Sequence, residues 1–334
     1  MANKRRRKKR KNYSSYIILA VLIVLIIGLI FVIVNMLGDN KKDNGKETTD
    51  KVQQESTNKI DDKNNTVNES TQPTTPAVTQ DRVHFENFTI PDSIVGLDTE
   101  IISLGYSQKD CDRDEYNRPK VIENIEEKYG KKYNAIYIGE ENSKKIYLTF
   151  TMGYENYNDG VPNTDVVMDI LKEKNVPAIF FVDGGYVRNY ADMCKKIVDN
   201  GFVVGCHGWD HPAEGVATYP LDKQLEDAKK IYEAIYAATG VEPYYYRFGS
   251  GIWNERALAL LNELGFRNVF YSFTYFDYDI NNQPDVAESL QNMIDNIHDG
   301  EIIYLHTVSN TSVAILSDFI DAARAKGYEF ELVP

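Results

Sequence analysis

The sequence is poor in cysteine, histidine and tryptophan. Its 334 residues include three cysteines, Cys111, Cys194 and Cys206. An odd, sparse set of this kind is not a disulfide framework; one bridge is open to it, and the sequence does not choose a pair. No Gly-rich dinucleotide turn follows any strand-like run, which argues against a Rossmann sheet. The first 38 residues contain no acid. They carry +8 against a chain total of −13, which leaves −21 on the remainder. So acidic a remainder argues against a nucleic-acid surface. Only five histidines occur, and two lie four residues apart, at 207 and 211.

Two features at the N-terminus belong together. Residues 4–11 read KRRRKKRK, and Ile17–Leu37 is a 21-residue run without a charge. At about 1.5 Å per residue such a helix crosses a hydrocarbon core of about 30 Å. The run is too long for a signal-peptide core and has no small-residue cleavage site. The expected topology is a basic cytoplasmic tail (1–16), a single transmembrane helix (17–37) that acts as a signal-anchor in the cell membrane, and an extracytoplasmic remainder. Residues 38–84 are rich in Lys, Asp, Asn, Thr, Gln and Ser. Such a composition buries too little apolar surface to offset ordering entropy, so it reads as a disordered linker.

Residues 85–140 are mixed, with a helix expected near 119–129. From Lys144 the pattern becomes regular. Strand-like runs at 146–150, 178–182, 202–204, 244–247, 268–272, 301–306 and 329–333 alternate with helical spacing at 164–174, 191–198, 221–238, 254–263, 285–297 and 312–325. This is the signature of βαβ units around a parallel sheet. About seven such units favour an α/β barrel, with its chemistry at the C-terminal ends of the strands.

Those ends carry the reactive residues. Cys206-His207-Gly208-Trp209-Asp210-His211 follows the run at 202–204. Two imidazoles four apart converge on one metal ion if the segment turns helically, and otherwise are ordinary loop histidines. Cys206 reads as packed and inert, because neighbours at a strand end point to opposite sides. His306 ends another run and is either a general acid or base or a satisfied core histidine. Arg247 ends a third, as a carboxylate partner or an oxyanion stabiliser, and Asp277 sits among aromatics, where a carboxylate either orients a histidine or caps a turn.

In this order the pieces resemble the NodB-homology polysaccharide deacetylases, carbohydrate esterase family four. The likeness runs from about Lys144 to Val333. It is strongest to the branch that forms muramic δ-lactam in spore peptidoglycan, on Ile146–Phe150, Gly153-Tyr154-Glu155-Asn156, Asp277 with Ile280–Gln283, and Tyr304–Ser309. The resemblance implies a deformed (β/α)7 barrel at 141–334, with 85–140 as its N-terminal extension. It also implies metal-dependent hydrolysis of the N-acetyl group of a cell-wall amino sugar, with a divalent metal, commonly zinc, as cofactor. His207 and His211 would be the metal ligands, His306 the general acid, Asp277 its support, and Arg247 the residue that positions the base. Tyr154, Glu155, Trp209 and Tyr278 are the candidates for contact with peptidoglycan.

Two motifs depart from the family. Thr149-Phe150-Thr151-Met152-Gly153 puts Thr151 at the base position and Met152 at the third metal position. A hydroxyl does not titrate usefully at neutral pH, and a thioether is a poor ligand for zinc. Arg247-Phe248-Gly249-Ser250-Gly251 replaces the usual Arg- and Pro-rich stretch, so Arg247 loses the carboxylate it would normally pair with, and either Asp277, Glu155 or Asp210 takes its charge or the pocket is wetter than usual. Three readings follow: a glycan-binding pseudoenzyme, an amidohydrolase that recruits Glu155, Asp159 or Asp210 as base, and a cell-envelope scaffold. A carboxylate beside the histidine pair favours the second, and a pocket plugged by Met152 the others.

Overall fold

The computed structural model describes residues 83–104 and 111–334. The tail, the apolar segment and all but the last two residues of the linker lie outside the described residues. Among the described residues no helix is long and apolar enough to cross a membrane.

Nine strands form one parallel sheet. They are β1 (Ala135–Ile136), β2 (Lys145–Met152), β3 (Ala178–Val182), β4 (Val203–Cys206), β5 (Tyr245–Tyr246), β6 (Arg267–Val269), β7 (Phe273–Thr274), β8 (Glu301–His306) and β9 (Glu329–Phe330). The order is β7-β8-β2-β3-β4-β5-β6-β1, with β9 added to the start of β2. Seven helices separate the strands: α1 (Asn163–Glu173), α2 (Gly184–Asn189), α3 (Ala191–Asp199), α4 (Leu221–Thr239), α5 (Glu255–Glu263), α6 (Val286–Asn296) and α7 (Asn310–Ala325). Strands covered on both faces read as near-continuous apolar runs, as Ala178–Val182 does: all five of its residues are buried.

The single strand expected at 268–272 is divided because the chain changes partner there. Arg267 and Asn268 pair with Tyr245 and Tyr246, whereas Phe273 and Thr274 pair with Ile303 and Tyr304. One extended segment therefore touches both flanks of the sheet and curls it toward a barrel. The strand expected at 329–333 shortens to two residues at the start of β2. The expected helix near 119–129 is regular only over Lys120–Ile125 and widens at Glu126–Gly130. The Glu126 carboxylate there accepts the Tyr137 backbone N–H at 2.6 Å.

Segment 85–140 is joined to this body. It supplies β1, and Arg118 donates to the Gly139 and Asp299 carbonyls at 3.0 and 2.7 Å. Ile102 and Ser103 pair antiparallel with Trp253 and Ile252.

Several strand ends lead directly into helix caps. Asp183 caps α2, Asn254 α5, Asp285 α6 and Ser309 α7, each accepting a backbone N–H of the first turn. Such caps satisfy donors that the helix leaves open and fix where each loop departs. The register does the rest. His306 lies opposite Thr151 across β8 and β2, and Thr151 lies opposite Phe181 across β2 and β3.

Candidate active site

A cavity of about 1440 Å³ opens at the C-terminal ends of these strands. Thr151, Asp183, His207, His211, Tyr304 and His306 all line it.

The His207–His211 loop is not helical. Gly208 has φ +86°, and the turn is held from behind by Asp227 on α4. The Asp227 carboxylate accepts the backbone N–H groups of Trp209 and Asp210 at 3.1 and 2.8 Å. The two imidazoles still converge, with ring centroids 5.0 Å apart. The expected convergence is present, but a buried acid and a glycine produce it instead of a helical turn. His207 Nδ1 lies 2.9 Å from the Arg247 carbonyl, and its Nε2 is buried without a partner. Burial and the neighbouring His211 hold its pKa well below the usual histidine value. A neutral imidazole with one nitrogen oriented and the other open has the form of a metal ligand. Cys206 is fully buried, and burial pushes its thiol far up, so it stays protonated as expected of an inert side chain.

On the opposite wall, Asp277 is completely buried. Its Oδ1 lies 2.6 Å from His306 Nδ1, and its Oδ2 accepts the His306 backbone N–H at 2.8 Å and the Ser312 hydroxyl at 2.7 Å. The other nitrogen of His306, Nε2, is left for the cavity.

Arg247 corrects an expectation. Its guanidinium is fully buried and meets no carboxylate: neither Asp277, Glu155 nor Asp210 reaches it. It donates to the carbonyls of Val269 and Phe270 at 3.1 and 3.0 Å and lies over the rings of Phe181 and Tyr304 at 4.3 and 4.8 Å. Aromatic faces and carbonyls take the place of the missing acid. Burial lowers its pKa to about 10, which still leaves it charged at neutral pH. Its Nη1 is buried without a hydrogen-bond partner among the described residues, and the Thr151 hydroxyl, buried beside Tyr304, makes no well-formed hydrogen bond among them.

Met152 does not line the cavity, so the plug that would favour a pseudoenzyme or a scaffold is not what the described residues form. Strand alternation turns it away from Thr151 and into the core, where it is fully buried. Burying such a side chain is worth about 1.5–3 kcal/mol, so position 152 serves packing here.

The expected glycan contacts divide. Tyr154 and Tyr278 are exposed at the cavity, where the Tyr154 hydroxyl lies 3.4 Å from the Tyr278 carbonyl. Glu155 is instead buried, because its oxygens accept from the Tyr186 hydroxyl at 2.7 Å and the Thr164 N–H at 3.3 Å. That ties it to the α1 start and removes it both as a glycan contact and as a recruited base. Trp209 is half-buried beneath the Arg188 guanidinium at 4.5 Å and does not line the cavity. Asp159 is exposed in the turn after Tyr157–Asn158, and Asp210 faces Lys223 at 3.9 Å; neither lines the cavity.

Sequence reasoning missed Asp183 and Asp227. Asp183 follows β3 in Val182-Asp183-Gly184-Gly185, a pattern that signals only a helix cap. It is one, since Oδ1 accepts the Tyr186 N–H at 2.7 Å, but it also lines the cavity. Burial raises its pKa, with the backbone N–H of Tyr186 and the charge of His211 opposing. Asp227 was detectable as an acid on the apolar stripe of α4 beside Ala228, Ile231 and Ile235.

Comparison with known proteins agrees with this geometry. The family described as polysaccharide deacetylase matches residues 138–269. An uncharacterized 30.6 kDa protein of Geobacillus stearothermophilus is 38% identical over 201 residues, 60% of this chain and 73% of that one. The peptidoglycan-N-acetylmuramic acid deacetylase PdaA of Bacillus subtilis is 34% identical over 203 residues, 60% of this chain and 74% of its own. The chain belongs to the polysaccharide deacetylase family. The solved structure of Bacillus subtilis PdaA, a family 4 carbohydrate esterase, aligns with a TM-score of 0.63 and 31% identity, covering 71% of this chain and 96% of that one.

Deacetylases of this family are metal-dependent. The histidine side of the cavity offers such an ion two nitrogens and no third ligand among the described residues. His207 Nε2 is open, and a Cβ at position 249 would stand 3.1 Å from His211 Nε2, so glycine there leaves that nitrogen room. As placed, no three His, Cys, Asp or Glu side chains among the described residues gather closely enough to hold an ion.

Proposed function

We propose that this protein is a membrane-anchored member of the family that binds N-acetylated cell-wall peptidoglycan and deacetylates it slowly at most. The observation that carries this reading is the contrast between the two halves of one cavity. The acid half is complete: Asp277 orients His306, whose Nε2 would give a proton to the departing amino-sugar nitrogen. The water-activating half is not. The Thr151 hydroxyl stands opposite His306 where the family has a carboxylate, and the Arg247 Nη1 that would meet that carboxylate is left unpaired.

A divalent ion, when bound by His207 and His211, would polarise the acetamide carbonyl. In the hydrolysis, water would give one proton to a base as its oxygen bonds to the carbonyl carbon; the C–N bond would then break as nitrogen takes the His306 proton, acetic acid would leave and ionise in solvent, and the proton held by the base would return to His306. The first of these transfers needs an acceptor, and Thr151 cannot be one. A positioned general base contributes roughly 10²–10⁴-fold, which sets the size of the defect.

The relative named PdaA supports peptidoglycan as the glycan. Exposed Tyr154, Phe276 and Tyr278 at the cavity supply flat faces for sugar rings. Residues 17–37 would anchor the chain, with 1–16 in the cytoplasm and 38–84 as the stalk carrying the 85–334 body to the wall.

Co-sedimentation of the full chain with N-acetylated peptidoglycan tests the binding. The wild-type chain should pellet with the glycan and Tyr278→Ala should pellet less. A wild-type chain that stays in the supernatant would leave only the scaffold reading.

A further inference from the structure

We propose that the α6 wall of the cavity is a subsite for the protonated amino groups of de-N-acetylated sugars, so that this chain prefers glycan already stripped of acetyl groups to fully N-acetylated glycan. The inference rests on reading the cavity as a glycan groove.

Three observations carry it. The first is the sign of the lining. Asp183, Asp285, Glu288 and Asp295 line the cavity, and among the described residues no lysine or arginine does. Three of these acids lie on α6 or at its start. Such a wall repels the carboxylate of a muramic residue and attracts an ammonium group.

The second is that helix stability accounts for only part of the wall. Asp285 caps α6 by accepting the Glu288 backbone N–H at 3.0 Å, and both acids suit the positive end of a helix. Asp295 does not. It stands in the last turn, which holds no basic residue, and there the helix dipole disfavours a negative charge. This end of α6 is also held in place: the Asn117 side chain donates to the carbonyls of Asp295 and Ile297 at 3.2 and 2.9 Å.

The third is Ser289. It lies on the same wall and is only 4% exposed, and its hydroxyl makes no hydrogen bond among the described residues. A buried polar group left open toward a cavity calls for a partner from outside the chain.

The size of the cavity fits a strand of sugars. Its volume of about 1440 Å³ exceeds the roughly 300–1,000 Å³ that holds one small ligand. The Tyr278 ring lies 5.8 Å from that of His306 and 4.4 Å from that of Phe276. A sugar whose acetamide meets His306 therefore rests by these rings, and its neighbours in the strand occupy the part of the cavity walled by α6.

The test is calorimetric titration of the full-length chain with two ligands of equal length, a β-1,4-linked glucosamine tetramer and its N-acetylated counterpart. At about pH 6 the sugar amines are protonated and the carboxylates ionised. One exposed ion pair is worth up to about fivefold in affinity, so the α6 acids together should favour the glucosamine tetramer about tenfold at low salt. The preference should shrink to about twofold in 0.5 M salt. It should shrink as far in the double variant Glu288→Gln, Asp295→Asn, which keeps side-chain size and the Asp285 cap and should fold, as checked by circular dichroism. Glu233→Gln, exposed on α4 and outside the cavity, should keep the preference. Equal or tighter binding of the N-acetylated tetramer by wild type overturns the inference, and so does a preference that survives the double substitution. A lysine-containing stem peptide that binds as tightly as the glucosamine tetramer would assign the wall to peptide amines and overturn it too. A chain that binds the N-acetylated tetramer but shows no preference loses this inference and keeps the functional reading; one that binds neither tetramer loses both.

Discussion

Asp277 holds His306 at two points, with Oδ1 2.6 Å from the imidazole Nδ1 and Oδ2 accepting the backbone N–H of the same residue at 2.8 Å. The Ser312 hydroxyl completes the grip at 2.7 Å, and the Tyr275 hydroxyl lies 2.6 Å from Ser312 Oγ. A buried carboxylate that binds ring and backbone together fixes both the tautomer and the direction of the imidazole. Residues 29 apart in the chain meet here because β7 lies beside β8 in the sheet.

Removing that grip should cost more than one hydrogen bond. Asp277→Ala leaves the His306 N–H, the imidazole and the Ser312 hydroxyl without their shared acceptor. Stability should fall by about 1–3 kcal/mol, read from urea midpoints. Acetate release from peptidoglycan should fall at least tenfold further. An unchanged midpoint would show that the pair is not held as described.

Asp227 makes a pH prediction. Its folded pKa is raised to about 6 from an ordinary 3.8, chiefly by burial. The folded state therefore holds its proton more tightly than the unfolded chain does. The resulting stability is present below pH 3.8 and is lost as the pH rises through about 6. Asp227→Asn carries no such term. Relative to wild type, its thermal midpoint should rise between pH 4 and pH 7. A difference that stays constant across this range would contradict the assignment.

Glu301 opens β8 at the end remote from the cavity. It is completely buried, and neither carboxyl oxygen makes a well-formed hydrogen bond among the described residues. Its neighbour His298, 4.0 Å away, is pulled down to about 3 by burial, so it is neutral and the two do not form an ion pair at neutral pH. Burial raises the Glu301 pKa well above its ordinary value, so keeping the acid protonated costs stability as the pH rises above about 4.5. Glu301→Met should stabilise the chain by about 1–3 kcal/mol at pH 8 and by less at pH 5. Destabilisation at both values would mean that the carboxyl has a partner in solution.

Much of this was legible in the sequence. Strand and helix runs were visible because period-2 and period-3.6 patterns are local. His306 was visible because it ends a strand, His207 and His211 because they follow one at a spacing of four, and Asp277 because its aromatic-flanked setting resembles the family. The division of 268–272 was not, because a change of strand partner leaves no local trace. Nor was Asp183 visible as a site residue, because a helix cap looks the same whether or not a cavity lies beside it, and Asp227 showed only as an acid on an apolar helix stripe. Glu155 was misread for the opposite reason: it adjoins the first motif in sequence but folds back to cap α1. The loss of the usual acid partner of Arg247 was legible at 247–251, but that no other acid replaces it was not, because its aromatic and carbonyl partners depend on long-range pairing.

The central claim is that catalysis lacks a base at position 151 while the acid half of the site, Asp277 and His306, survives. The direct test is acetate released from N-acetylated peptidoglycan with added zinc by wild type, Thr151→Asp and Thr151→Asp with His306→Ala. Thr151→Asp should meet the unpaired Arg247 Nη1 and release acetate about 10²–10⁴-fold faster than wild type, with the gain lost when His306 is removed. Wild-type turnover that equals or exceeds that of Thr151→Asp, and that disappears in His207→Ala, would contradict the account.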